Sequence, residues 1–206
     1  MKTLTSILVV LFALNSYSMG FDAQKNKELF YLLFAEPTNT IADFSTDGCS
    51  SFPNGRHFGT KKEWIHCCYI HDVDYWYGGP EDLKKKADEE LNKCVSKAQS
   101  ESLGFIMDVG VTIGGKPGLT SWRWAYGWNY LIKYESLNEE QEKSLSSKII
   151  TVAETFLKLK DGLTYPQRMA IYQRLYLLGL ENSHNLKQEE LDQYNERISK
   201  LTLFEL

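Results

Sequence analysis

The chain of 206 residues contains no apolar run long enough to cross a bilayer. Its N-terminal run, Ile7 to Leu14, falls far short of the roughly 20 residues that a spanning helix needs. Basic residues are not in excess: 23 Lys and Arg stand against 27 Asp and Glu, for a net charge of -4, so no basic surface for nucleic acid is expected. Cysteine is scarce, with four in all, and none closely follows the apolar run, which argues against a bacterial lipoprotein anchor. There is no Gly-x-Ser-x-Gly elbow, so the usual serine-hydrolase turn is excluded. Neither an internal repeat nor a low-complexity tract is visible, which excludes a repeat array.

What is present begins with an export signal. Lys2, the apolar run and the small residues Ser16 and Ser18 predict a signal peptide over residues 1–18 and an exported, secreted or periplasmic, mature chain from about Met19, with an uncleaved anchor helix as the alternative. In an oxidising compartment four cysteines (Cys49, Cys67, Cys68, Cys94) predict two disulfides, with three possible pairings. Zinc is the alternative, although adjacent cysteines do not match its usual spacings. At 43% hydrophobic and 24% charged, the composition is that of a globular protein of one domain, or of one domain with an appendage.

Residues 66–76, His66-Cys67-Cys68-Tyr69-Ile70-His71-Asp72-Val73-Asp74-Tyr75-Trp76, concentrate the chemistry. A helix is predicted from about Lys62 to Tyr77, stopped by Gly78-Gly79. On it Cys68, His71, Asp72 and Tyr75 share a stripe where a plain core helix would carry aliphatic residues. His71 and Asp72 differ by about 100° around the axis, so both lean toward one cleft yet point at different targets. Pro80, Glu81 and Asp82 open a second helix, whose expected buried face is Leu83, Ala87, Leu91, Cys94 and Ala98. A Gly-Gly-Pro corner lays that helix antiparallel to the first, so that Asp88 can face His71 and Cys94 can reach Cys67. Upstream, Thr46-Asp47-Gly48-Cys49 lies in a loop rich in Gly, Pro, Asn and Ser. It is either a polar turn or an oxygen-donor site for calcium, with a carboxylate from Asp47 and a carbonyl from Gly48.

Cys67-Cys68-x-x-His71-Asp72-x-x-Tyr75, followed by Asp88 and Cys94, resembles the secreted phospholipase A2 family, and Thr46-Asp47-Gly48-Cys49 is similar to its bacterial and fungal branch. The similarity covers roughly residues 44 to 95. The glycine-rich calcium loop of the animal enzymes is missing, and the segment between Cys49 and Cys68 is longer than in the bacterial branch. The resemblance implies a mostly α fold: a phospholipase A2-like core of two antiparallel, disulfide-linked helices over residues 19–135, with a helical C-terminal extension over 136–206. It implies pairing of Cys49 with Cys68 and of Cys67 with Cys94. It further implies a Ca2+ ion held by Asp47, Asp72 and the Gly48 carbonyl, and a His71 base oriented by Asp88, with Tyr75 holding Asp88. The Gly48 N–H is a candidate second donor to the oxyanion. The implied activity is calcium-dependent hydrolysis of the sn-2 acyl ester of phospholipids at a membrane surface. A non-catalytic calcium-dependent binding module on the same scaffold is the alternative.

Beyond the motif, Trp122, Arg123 and Trp124 sit in an aromatic cluster that reads either as a lipid-facing rim, with Arg123 receiving a phosphate, or as bracing for the core. Three C-terminal helices are predicted. One carries Leu145, Ile149, Val152, Phe156 and Leu159; one runs from Tyr165-Pro166 to Leu178-Gly179; one runs from about Lys187 to Leu203. They contain no chemical motif and are candidates for a protein-partner surface. His57, His66 and His184 lack comparable partners. A short helix over Asp22 to Phe34 is also expected.

Overall fold

A computed structural model describes Leu32, residues 35–55 and residues 63–203. The expected signal segment, nearly all of the Asp22 to Phe34 helix, His57 and Lys62 lie outside the described residues.

Within the described residues the chain is mostly helical, with six α-helices, no strands and two disulfides. Helix α1 spans Ile65–Tyr77, α2 Glu81–Ala98 and α3 Glu101–Gly114. After a loop come α4 (Glu139–Leu159), α5 (Tyr165–Glu181) and α6 (Gln188–Ser199), joined by short 3-10 turns. The ends follow the local chemistry. Asn138 and Gln141 form a reciprocal capping box on α4, and Thr164 with Gln167 does the same on α5, where Pro166 fits the first turn. Glu81 and Asp82 sit in the first turn of α2 and Lys97 in its last, each complementing the helix dipole.

The buried face of α2 differs from the expected one. Lys84, Ala87, Asp88, Leu91 and Val95 point inward, while Leu83 and Ala98 are exposed. The interior face has turned to admit an ion pair, a choice that apolar periodicity does not reveal.

One apolar core runs through α1 and the C-terminal helices. It joins Ile41, Phe44, Ile65, Tyr69, Val73 and Trp76 to Leu145, Ile149, Phe156, Leu175 and Leu201. Among the described residues this cluster draws on both sides of residue 135, and a second, smaller cluster of Cys49, Trp64, Cys67, Cys68, Leu91, Val95 and Met107 packs α1 against α2 and α3. The residues leading into the loop of Asp47 are held by α4: Ser144 Oγ accepts from the Ile41 N–H (3.0 Å), Thr151 Oγ1 accepts from the Phe44 N–H (3.1 Å), and Lys148 pairs with Asp43 (2.6 Å). Helix α5 is tied to α1 through Arg174, whose Nε and Nη2 donate to Asp74 Oδ1 (2.9 and 2.6 Å) and whose Nη2 also donates to the Tyr77 hydroxyl (2.7 Å). Asp74 thus serves as a half-buried structural anion.

The aromatic cluster finishes the end of α1. A helix leaves its last carbonyls without partners inside the helix. Here the Tyr75 and Trp76 carbonyls accept from the Tyr126 and Gly127 N–H groups (3.2 and 2.9 Å), and the Tyr77 carbonyl accepts from Trp128 Nε1 (2.9 Å).

Candidate active site

The site is assembled by two covalent clamps. Cys67–Cys94 joins α1 to α2, and Cys49–Cys68 pins the Asp47 loop to α1. Among the described residues no cysteine is free. His66 Nε2 lies 3.6 and 3.7 Å from the sulfurs of Cys67 and Cys94, but both sulfurs are committed to the disulfide and offer no thiolate to a metal.

Between the clamped helices Asp88 faces His71. Asp88 Oδ1 lies 3.1 Å from His71 Nε2 and accepts from the Tyr75 hydroxyl at 2.6 Å. The His71 and Tyr75 rings lie 4.0 Å apart between centroids. With a carboxylate on Nε2, the proton resides there and Nδ1 is left as the acceptor of the ring. Burial pushes the Asp88 carboxyl up, but hydrogen bonds from His71, Lys84 and Tyr75 outweigh it and hold the group below the usual carboxylate range. Tyr75 is pushed far upward by burial and by the Asp88 charge, so it remains a phenol donor.

Two members of this arrangement are not legible in the motif. Lys84 is buried and donates from Nζ to Asp88 Oδ2 at 2.6 Å. Thr46 donates from Oγ1 to Asp72 Oδ2 at 2.5 Å and accepts from the Gly48 N–H at 3.1 Å. The Gly48 amide is thereby turned toward Thr46, which corrects its expected use as an oxyanion donor. Gly48 itself has a φ of 87°, and a Cβ there would lie 2.6 Å from Asn54 Oδ1, so this tight loop requires glycine.

Asp47 lies near enough to Asp72 for its charge to be felt there. Burial pushes the Asp72 carboxyl well above the carboxylate range; the Thr46 hydrogen bond opposes this, and the negative charge of Asp47 adds to it. The same two carboxylates, after burial, raise the Tyr126 phenol. Asp47 is exposed and accepts from Ser50 Oγ at 2.9 Å, and the two acids, with the Gly48 carbonyl in the same turn, are oxygen donors of the kind that suits a hard divalent ion.

A hollow of about 130 Å3 borders His71, Ile70, Asp74, Ala87 and the Cys67–Cys94 disulfide. Asp72 does not line it, because Asp74 and Asp72 lie about 160° apart around α1. The face shared by His71 and Asp72 is therefore turned about 100° from the hollow around α1.

The expected substrate contacts at Arg123 and Trp124 are corrected by burial: each is 1% exposed. The Arg123 guanidinium donates to the carbonyls of Ala125 (2.7 Å), Trp128 (2.8 Å) and Tyr130 (3.2 Å), and burial pushes its pKa down to about 10. Trp124 Nε1 donates to the Gly79 carbonyl (2.8 Å). Trp122 is half-buried, with its ring packed against Gly114. Arg123 and Trp124 are spent on the backbone of the loop. Exposed apolar residues include an outward stripe on α3 of Phe105, Ile106, Val109 and Ile113, and Tyr176, Leu177 and Leu180 on α5.

In comparisons with known proteins, the chain matches no family model, no curated protein and no solved structure.

Proposed function

We propose that the chain is an exported, calcium-dependent phospholipase of the A2 type on a phospholipase A2-like helical core. The observation that carries the reading is the Asp88 carboxylate bonded to both His71 Nε2 and the Tyr75 hydroxyl, with His71 next along α1 to Asp72, where the charge of Asp47 is felt.

Asp88 holds His71 in the tautomer with the proton on Nε2. Nδ1 then takes a proton from water as its oxygen attacks the ester carbonyl carbon, and returns that proton to the departing alcohol oxygen. The products are a fatty acid and a lysophospholipid. Tyr75 fixes the second lone pair of Asp88 Oδ1 and so the plane of the pair. A calcium ion would be held by Asp47, Asp72 and the Gly48 carbonyl, and when bound it supplies a Lewis acid for the ester carbonyl. The α3 stripe of Phe105, Ile106, Val109 and Ile113 is the surface through which the protein meets lipid, as its inner side touches the site at the Val111 carbonyl. Among the described residues no helix is long and apolar enough to cross a membrane, in keeping with peripheral contact. A protein partner of the C-terminal helices would meet exposed Tyr176, Leu177 and Leu180 on α5.

The test is fatty-acid release from phosphatidylglycerol–phosphatidylcholine vesicles, with calcium and with chelator. Wild type releases fatty acid with calcium only, and His71→Gln loses at least about 100-fold of the rate, as expected for removal of a general base. Release that survives chelation or His71→Gln refutes the mechanism. Calcium-dependent vesicle binding with no product establishes the binding-module alternative.

A further inference from the structure

His66 is the histidine of α1 that the chemistry above leaves without a role. It stands in the first turn of the helix, half-buried, beside the Cys67–Cys94 disulfide. Its Nδ1 is buried and has no hydrogen-bond partner among the described residues. Its Nε2 lies 3.6 Å from Cys67 Sγ and 3.7 Å from Cys94 Sγ. One ring nitrogen is thus idle in the interior while the other is set almost evenly between two sulfurs. Among the described residues no other disulfide has an imidazole placed in this way, and His66, Cys67 and Cys94 are the one group of side chains whose nitrogen and sulfur atoms converge like metal ligands.

Two thiolates and an imidazole are ligand types of a tetrahedral zinc site. With Zn–S bonds of about 2.3 Å and Zn–N bonds of about 2.0–2.1 Å, tetrahedral angles put a ligand nitrogen roughly 3.5 Å from a ligand sulfur. Both nitrogen–sulfur separations here, 3.6 and 3.7 Å, are already close to that length. The remaining edge, sulfur to sulfur, is a covalent bond, so only reduction frees the ligands. Two thiolates then cancel the charge of one divalent ion, which suits a site where Cys67 is buried and Cys94 and His66 are half-buried. Calcium does not fit, because it takes oxygen ligands. Both cysteines border the hollow of about 130 Å3, which has room for a fourth ligand. Asp74 borders it too but is held by Arg174, whereas Glu90, one turn before Cys94, is exposed and meets only Lys93. The fourth position therefore belongs to water or to the Glu90 carboxylate.

We propose that the Cys67–Cys94 clamp is exchangeable: when a dithiol reductant opens it, Cys67, Cys94 and His66 bind a zinc ion in its place and keep α1 joined to α2. In the opening step the two thiols of the reductant become its own disulfide, and Cys67 and Cys94 become thiols. Zinc then displaces one proton from each thiol and takes the lone pair of His66 Nε2, while the ring keeps its proton on Nδ1. The inference is independent of the phospholipase reading, since it concerns the joint between two helices whatever chemistry they carry.

The test uses the full chain, reduced with a phosphine so that no competing thiol is present, with cobalt(II) as the spectroscopic probe and zinc as its competitor. Reduced wild type takes up one cobalt per chain and shows a thiolate-to-cobalt charge-transfer band, which one equivalent of zinc abolishes; the oxidised chain shows no band. Cys67→Ser/Cys94→Ser loses the band and Cys49→Ser/Cys68→Ser keeps it. His66→Ala weakens zinc binding at least about tenfold, because even a residue that merely supports a ligand costs about 10–100-fold when removed. His66→Gln serves if the alanine variant does not fold. Zinc also raises the melting temperature of the reduced chain, followed by circular dichroism, and leaves that of the oxidised chain unmoved. The inference is overturned by a reduced wild type without the band, by a band that survives in Cys67→Ser/Cys94→Ser or is lost from a folded Cys49→Ser/Cys68→Ser, or by a zinc affinity that a folded His66 variant does not lower. A reduced chain that zinc leaves unfolded overturns it as well, since the fold then does not hold the ligands.

Discussion

Asp72→Asn separates a built cation site from an ordinary polar loop. In the metal-free protein Asp72 is an acid whose folded-state pKa lies well above its unfolded one, through burial and the nearby Asp47. Such a group lowers stability above its unfolded pKa, and the penalty is relieved as pH falls through the folded value. Asparagine has nearly the same shape and can still accept from Thr46. Removing the charge should stabilise the chelated protein at pH 7.5 by about 1–3 kcal/mol, the range for a poorly compensated buried polar group. Calcium acts oppositely. At 100 times Kd it stabilises a protein that binds it only when folded by about 2.7 kcal/mol. For a chain of this size that is a rise in Tm of roughly 5–10 °C. Thermal unfolding followed by circular dichroism, with chelator and with calcium, reads both effects. Wild type should melt below Asp72→Asn in chelator and shift upward with calcium, while the variant does not respond. A variant that melts below wild type in chelator would show that the protein alone already satisfies the Asp72 carboxylate, and the cation site would be refuted.

Three further outcomes follow from the geometry. Arg123→Met leaves three backbone carbonyls without their donor inside the core, so it should lower stability by about 3 kcal/mol or more without changing any preference for anionic head groups, as read by urea unfolding and vesicle assays. Ile113→Glu and Phe105→Glu, at exposed positions on α3, should cut the rate on vesicles by about tenfold, equivalent to about 1.4 kcal/mol of lost surface affinity, yet leave hydrolysis of a monomeric short-chain ester unchanged. Asp74→Asn and Arg174→Met should each cost about 3 kcal/mol by stranding a largely buried charge, whereas the double variant should cost less than the two combined; additive losses would remove the coupling.

The helix of His71, its partner Asp88 and the C-terminal helices were legible because each leaves a periodic or compositional trace. Asp88 is a carboxylate beside an apolar face, and Leu145, Ile149, Val152 and Phe156 keep a helical period behind the Asn138 cap. Lys84 was not legible, because a lysine four residues from an aspartate looks identical in sequence whether solvated or buried; only the close approach of α3 decides it. Helix α3 was hidden for a related reason. Gly104 reads as a helix breaker, but it lies where a Cβ would come within 2.2 Å of Ser96 Oγ, so that glycine is the contact at which α3 meets α2. Arg123 between two tryptophans read either as a lipid-facing rim or as bracing for the core, and the 1% exposure of Arg123 and Trp124 accords with the second. The burial of Arg123 depends on the backbone carbonyls of Ala125, Trp128 and Tyr130, which carry no side-chain signature.

The threads from Ser144, Thr151 and Lys148 to residues 41–44, and from Arg174 to Asp74, tie the helix of His71 and the loop of Asp47 to the last three helices. Ending the chain near residue 135 would strip Phe44 and Tyr69 of the Phe156 side of their packing and leave Asp74 without its guanidinium. Engineering that aims to shrink or transplant the chemistry would have to carry the last three helices along as its foundation.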